Sequence, residues 1–223
     1  MKVIIVTGTP GTGKTTLSKK LAKKLDFSYL DVNETIKKYK LSEGYDKKRK
    51  TKIVDVKKLN RALIKEISII KNSLNKTPIS KNLSKNSIKK ISLIKFNKIK
   101  YTRKSKIFGV LKISDFHDNE IKSMKNHKNI KNGIIVDSHL SHYLPKRYVD
   151  LCIVAKCGLK ELERRLKKKK YPHNKIRENL DAEIFDICLN EAKESGHKVI
   201  VIGATKGINM TAVSSKIGGL IGV

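Results

Sequence analysis

Eight residues, Gly8-Thr9-Pro10-Gly11-Thr12-Gly13-Lys14-Thr15, follow the apolar run Val3-Ile4-Ile5-Val6 and complete a G-x-x-x-x-G-K-S/T pattern. Glycines at Gly8, Gly11 and Gly13 let backbone N–H groups converge on phosphate oxygens, with Thr12 between them in the same loop. Lys14 adds a point charge at the β and γ phosphates, and Thr15 offers its hydroxyl to Mg²⁺. A helix over 16–25, opening with Thr16, would point its positive end at the same anion. A strand in front and a helix behind separate a phosphate loop from a chance glycine turn, and both are expected here. The pattern implies binding of a nucleoside triphosphate.

A second candidate lies far along the chain. Gly133-Ile134-Ile135-Val136-Asp137 is an apolar strand ending in an acid, and Asp137 in that position suits a Mg²⁺-associated carboxylate, with Thr15 as the other protein ligand. The bland alternative for Asp137 is a helix cap. His139 and His142 follow, and spacing alone makes His142 an ordinary surface histidine.

The elements that must position these groups alternate between strand and helix. Strands are expected at 27–32, 133–137, 151–155 and 198–202, and helices at 16–25, 33–40, 57–67, 159–168 and 175–194. Asp31 or Asn33 is available to cap the second helix and Asp55 the third, while Gly44-Tyr45-Asp46 reads as a turn. Continuous apolar strands alternating with helices predict an α/β fold: a parallel sheet covered on both faces, with the phosphate loop at its carboxyl edge. Gly203-Ala204-Thr205, after the last strand, is placed beside the nucleotide base, with a simple turn as the alternative.

With 223 residues the chain can bury one core, or one core and an appendage. From 67 to 132 Lys, Asn, Ser and Ile dominate without a sustained period, and no acidic residue occurs from Ile67 to Ser114. Two accounts stay open for this stretch. It is a basic arm in which Phe96, Tyr101 and Phe108 interleave with cations, as in nucleic-acid binders, or a tolerated insertion with room for a small hairpin at 106–113.

The formal charge of +31 favours anionic partners, RNA or DNA among them, and salt-sensitive binding. Compositional bias toward Lys, Asn and Ile explains the same number without a partner. Cys152, Cys157 and Cys188 lack C-x-x-C spacing, so neither a disulfide framework nor a zinc site is indicated. The first apolar run is short and leads into the loop, as a core strand and not a signal peptide would. No apolar stretch reaches membrane-spanning length, the tail 217–223 included. A cytoplasmic protein without a membrane partner is expected.

Four ordered motifs carry a resemblance. The loop Gly8–Thr16, the segment Glu43-Gly44-Tyr45-Asp46 with Val54-Asp55, the stretch from Ile135 to Pro145 and the pattern Tyr171-x-x-x-Lys175-Ile176-Arg177-Glu178-Asn179 with Ala182-Glu183-Ile184 resemble the adenylate kinase isoenzyme 6 family, especially its archaeal members. Only 67–132 lacks a counterpart. The resemblance implies a nucleoside monophosphate kinase fold over 1–66 and 133–223. Within it would lie a monophosphate-binding segment at about 31–55 and a lid at about 168–178.

It also implies two activities: phosphoryl transfer from MgATP to AMP, and ATP hydrolysis that assists maturation of the small ribosomal subunit, with ribosomal protein or rRNA as partner. By position, Gly11, Gly13, Lys14, Thr15 and Thr16 would hold ATP phosphates, and His139 would complete an Asp-x-His signature. Lys37, Tyr45, Asp46 and Arg49 would face AMP. Lys169 occupies a lid position, and Lys37 a phosphate position, where relatives place Arg. A lysine is a mobile point charge and not a bidentate fork, so both departures weaken a clamp. Arg49, Arg164, Arg165 and Arg177 remain as guanidinium donors, and Arg177, among the matched lid residues, is the first choice.

Overall fold

The computed structural model describes residues 1–47, 51–74, 133–205 and 207–222. The chain divides into two compact units, Met1–Asn72 with Asn129–Val223, and Ser73–Lys128. The phosphate loop and the sheet that carries it belong to the first unit. The hairpin expected at 106–113 and the proposed basic arm lie outside the described residues.

Strand β1 (Lys2–Thr7) leads through the phosphate loop into α1 (Lys14–Leu25). Next come β2 (Ser28–Asp31), α2 (Val32–Lys38), β3 (Ser42–Asp46), β4 (Thr51–Val54) and α3 (Val56–Leu74). After β5 (Gly133–Asp137) and two short 3₁₀ turns follow β6 (Leu151–Lys156), α4 (Leu159–Lys168), α5 (His173–Ile184), α6 (Ile187–Glu194), β7 (Val199–Gly203) and α7 (Met210–Ile221).

Five strands form one parallel sheet in the order β2-β5-β1-β6-β7. Alternation along each strand sends side chains to both faces. Val3, Ile5, Ile134, Val136, Cys152 and Val154 pack with Leu59, Leu63, Ile67 and Ile70 of α3. Ile4, Val6, Ile135, Ile153 and Ala155 pack with Leu17 and Leu21 of α1 and Ile217 and Ile221 of α7. Burying an aliphatic side chain of this size contributes about 1.5–3 kcal/mol, so this core holds the loop between two clamped layers. Gly133 is needed where β5 begins, because a Cβ there would lie 2.4 Å from the Phe27 ring.

The structure departs from the sequence reading in several places. Gly44-Tyr45-Asp46 is strand, not turn: β3 pairs antiparallel with β4, so 42–46 and 51–54 are the two arms of a hairpin. Helix α3 runs past residue 67 to Leu74 because Ile67 and Ile70 continue its apolar stripe into the core. The single helix expected at 175–194 is two, broken at Phe185-Asp186, where Asp186 takes the left-handed conformation. The apolar tail is mostly α7, capped by the Asn209 side chain. Asp31 and Asp55 do cap α2 and α3. All three cysteines are free thiols, and among the described residues no helix is long and apolar enough to cross a membrane.

Candidate active site

Geometry at the end of β1 is set by glycine. Gly8 has φ 135°, and a Cβ there would fall 2.4 Å from the Ala155 carbonyl oxygen of β6. Gly13, at φ 101°, precedes α1 without any side-chain cap. The first N–H groups of α1 therefore face outward without the partner a capping side chain would supply, which is the arrangement that receives phosphate. Inside the loop, Thr9 O accepts from the Thr12 hydroxyl at 2.8 Å and from Lys14 Nζ at 3.2 Å. Lys14 is buried there, and desolvation lowers its pKa to about 8 although Asp137 opposes the shift. Lys169 adds to the lowering. An anion placed on the loop would restore the ordinary lysine charge.

Asp137 is buried at the end of β5, beside β1 in the sheet. Its Oδ2 accepts from Tyr29 Oη at 2.9 Å. Its Oδ1 is buried and has no hydrogen-bond partner among the described residues. Burial without a partner costs a polar atom on the order of 1–3 kcal/mol, and more when it is charged, so the atom awaits a ligand. Thr15 and Asp137 line the same cleft. Among the described residues no three His, Cys, Asp or Glu side chains cluster to hold a metal. One hydroxyl and one carboxylate beside a phosphate cradle fit a hard cation that keeps its remaining ligands as water and phosphate, as Mg²⁺ does.

Two large clefts meet on the loop. The first, about 690 Å³, is lined by Gly11, Gly13, Lys14, Thr15 and Thr16 with Lys20, Arg165, Lys168 and Lys169, and closes against Ala204, Thr205, Gly207 and Ile208. The second, about 750 Å³, passes from Pro10, Lys14 and Thr15 to Asn33, Ile36 and Lys37, the hairpin residues Tyr45, Thr51, Lys52 and Val54, and Asp137, His139, Tyr171 and Lys175. Gly11, Lys14, Thr15 and Lys169 belong to both. Gly8 and Thr12 line neither; Gly8 forms the loop's tight entry and Thr12 holds its interior.

Among the remaining sequence candidates, Ala204 joins the first cleft, and Lys37, Tyr45 and His139 the second. Lys37 pairs with Glu34 at 3.2 Å, both exposed. Asp46 stands half-buried on β3, and its charge is felt at Lys175. His139 has an open side toward the cleft. Protein atoms on its other sides desolvate it, and Lys14, His142 and Lys175 add repulsion, so its pKa lies well below the ordinary histidine range and the ring is neutral at pH 7. Arg177 is exposed on α5 and lines neither cleft. Arg49 lies outside the described residues.

The lid region 168–178 is the end of α4, a short loop and the start of α5. Leu162 and Leu166 of α4 pack with Ile176 of α5, Cys157 and Tyr171 in a small core of their own. Arg165 does more than sequence could assign. Its Nη1 donates to Thr12 O at 3.2 Å and its Nη2 to Ala204 O at 2.9 Å, stapling the phosphate loop to the segment after β7. Glu161 one turn earlier orients it through Nε at 2.7 Å. The i, i+4 Glu-Arg spacing on α4 was the available signal, but Arg164 shares Glu161 and only the fold shows which guanidinium faces the loop. His142 is a correction outright. It is buried, not on the surface, because its 3₁₀ turn packs against β1 and α6.

A parallel sheet of this order, carrying two clefts that share one phosphate loop, defines the class: a P-loop kinase fold. A family model described as "AAA domain" matches residues 4–73 and 76–186, well over half of the chain. A "Putative adenylate kinase" of Methanosarcina acetivorans is 30% identical over 203 residues, covering 91% of this chain and 77% of that protein. A Methanocaldococcus jannaschii protein of the same name is 29% identical over 88% of this chain and 75% of its own length. An "Adenylate kinase isoenzyme 6 homolog" of Dictyostelium discoideum is 26% identical over 89% and 78%. The chain belongs to this AAA-domain family and, within it, to the adenylate kinase isoenzyme 6 family. It is a nucleotide kinase.

Proposed function

We propose that this protein transfers the γ-phosphoryl group of MgATP to AMP, forming two ADP, with accompanying ATP hydrolysis and a role in small ribosomal subunit maturation. The observation that carries the transfer is the meeting of the two clefts at Gly11, Lys14, Thr15 and Lys169. In-line transfer needs a donor and an acceptor on opposite sides of one set of cations, and little covalent help from the protein. ATP occupies the first cleft, with its base toward Ala204 and Thr205 and its phosphates on the loop. AMP occupies the second, with Lys37, Tyr45 and Asp46 as its contacts and Arg49 as a further candidate.

Lys14 loses its tie to Thr9 O and takes the γ-phosphate instead. Lys169, shared by both clefts, neutralises charge as the phosphoryl group crosses. Arg165 keeps the loop aligned with the base pocket, and Arg177 is a reserve donor that only lid movement would deliver. His139, neutral, is a hydrogen-bonding partner and not a cation. Thr15 and Asp137 would hold Mg²⁺, which when bound would neutralise negative charge on the triphosphate. Closure of the lid over both clefts excludes water and favours transfer.

Product analysis with MgATP, with and without AMP, tests this. AMP loss with two ADP formed, abolished by Lys14→Ala, is the expected result; free phosphate alone, unchanged by AMP, refutes the kinase proposal.

A second reading, an RNA- or ribosome-associated assembly ATPase with little AMP kinase activity, is favoured by the charge of +31. A lysine at the lid position in place of the relatives' arginine also leaves more room for water. RNA is an easier partner for such a chain than a basic ribosomal protein. Deleting 76–131 and measuring RNA affinity across salt tests it: unchanged affinity and slope would remove the arm from the account.

A further inference from the structure

Next to the phosphate loop lies a chain of polar groups, buried at its Thr7 and His142 end, that the transfer mechanism does not use. Thr7, the last residue of β1 and the neighbour of Gly8, is fully buried, and its Oγ1 lies 2.7 Å from His142 Nδ1. The same hydroxyl lies 3.4 Å from the His139 carbonyl oxygen. On the other side of the ring, His142 Nε2 stands 2.9 Å from Glu191 Oε2 of α6, off the axis of an aligned hydrogen bond. Tyr143 donates its hydroxyl to the other Glu191 oxygen at 2.9 Å, and its ring packs on His142 with centroids 4.2 Å apart. The His142 carbonyl can only accept, so His197 Nε2, 2.8 Å away, carries a hydrogen.

These distances leave the Thr7 hydroxyl one proton and two acceptors. A carboxylate facing Nε2 keeps the hydrogen of a neutral His142 on that nitrogen, which makes Nδ1 an acceptor. Thr7 then donates into Nδ1. If His142 becomes doubly protonated, Nδ1 turns donor, and the Thr7 proton has only the His139 carbonyl left. His142 thus sets the direction of its bond to the residue before Gly8: neutral, it accepts the Thr7 proton; doubly protonated, it donates to Thr7 Oγ1 and sends the Thr7 proton toward the longer contact with the His139 carbonyl.

We propose that His142 is a positioning residue for phosphoryl transfer, acting through the Thr7 hydroxyl on the entry to the phosphate loop and set in its tautomer by Glu191. This rests on the phosphate-loop chemistry proposed above. The groups facing His142 are Glu191 and Cys188 of α6, His197 ahead of β7, Tyr143 and His139 on its own segment, and Lys175 and Glu178 of α5 across a small cavity of about 310 Å³ that they share. Burial is the largest influence on the ring and favours its neutral form; Glu191 opposes it and His197 reinforces it. The loop-setting arrangement is therefore the one present at neutral pH.

The experiment compares wild type, Thr7→Val, Thr7→Ser and Glu191→Gln in single-turnover phosphoryl transfer and ATP hydrolysis, alongside imidazole ¹⁵N NMR of His142. Thr7→Val, isosteric but without the hydroxyl, is expected to slow the chemical step about tenfold with little change in MgATP affinity, as misalignment does. Thr7→Ser restores the rate. In the spectra His142 is the Nε2–H tautomer, and its Nδ1 resonance shifts in Thr7→Val. Glu191→Gln moves the acid limb of the rate profile to lower pH, because the carboxylate that favours the charged ring is gone.

A wild-type rate in Thr7→Val, an Nδ1–H tautomer, or an unmoved acid limb overturns the proposal. If Thr7→Val does not fold, the tautomer and the Glu191→Gln limb decide alone. Wild-type protein that hydrolyses ATP without phosphorylating AMP would refute the kinase function and leave this test readable in the hydrolysis rate.

Discussion

The two clefts share four residues and are built in opposite ways. The first stands on the buried sheet: its loop is pinned by Gly8 against Ala155, by Thr12 on Thr9, and by the Arg165 staple across to Ala204. The second is walled by α2 and by the β3–β4 hairpin, where Tyr45 is 57% and Ile53 52% exposed. A site on a packed core is held in geometry before the ligand arrives, whereas a site on an exposed hairpin must be ordered by its ligand. In the transfer proposed above, the donor side would therefore set alignment and the acceptor side selectivity.

The largest effect expected from breaking that contrast is at the shared lysine. Lys14→Ala should lower phosphoryl transfer on the order of a hundredfold or more, measured by coupled ADP formation. Its thermal midpoint should hold or rise. A lysine whose folded pKa of about 8 lies below its unfolded value is a burden on the fold at every pH below about 8, relieved only as pH climbs toward the unfolded value. Asp137→Asn should approach the same loss of activity, and titration of Mg²⁺ should reveal a raised requirement for the metal. Tyr29→Phe, which removes only the Oδ2 donor, should cost far less.

Next in size is a pH effect centred on the shared Lys14. Free protein loses the Lys14 proton above pH 8, while bound triphosphate retains it, so MgATP affinity should fall up to about tenfold per pH unit as pH rises beyond 8. Equilibrium titrations at several pH values check this; a flat profile would place the triphosphate away from Lys14.

Arg165→Lys should raise the KM for ATP about tenfold and leave the KM for AMP unchanged, because one point charge cannot serve both Thr12 O and Ala204 O. The smallest change sharpens the acceptor side: Lys37→Arg, which supplies a fork where only a point charge stands, should lower the KM for AMP about threefold, on the scale of a fraction of a charged hydrogen bond. Steady-state kinetics with each substrate varied in turn separates the two clefts.

Much of the donor side was legible because it is local. A phosphate loop is eight consecutive residues, and the strand and helix that frame it announce themselves by a short apolar run and a helical spacing. Asp137 was legible for the same reason, as an acid closing an apolar strand. The acceptor side was harder. Gly44-Tyr45-Asp46 has turn composition, yet β4 pairs with it and makes it strand, a contact no single segment encodes. Arg177 matched its neighbours in pattern, but Arg165, earlier in the chain and on a different helix, is the guanidinium that reaches the loop.

Residue types and spacing alone determined the phosphate chemistry, the parallel α/β class and the family resemblance, because each resides in short stretches whose backbone geometry follows from local composition. Tertiary structure alone decided that the loop lysine is buried and lowered in pKa, that Asp137 keeps one buried oxygen without a hydrogen-bond partner among the described residues, and that His142 sits against Thr7 instead of in solvent. Those properties depend on which distant segments desolvate and face a group. Burial and pairing are set by packing between β1, β5 and α6, and the order of residues along any one of them does not contain it.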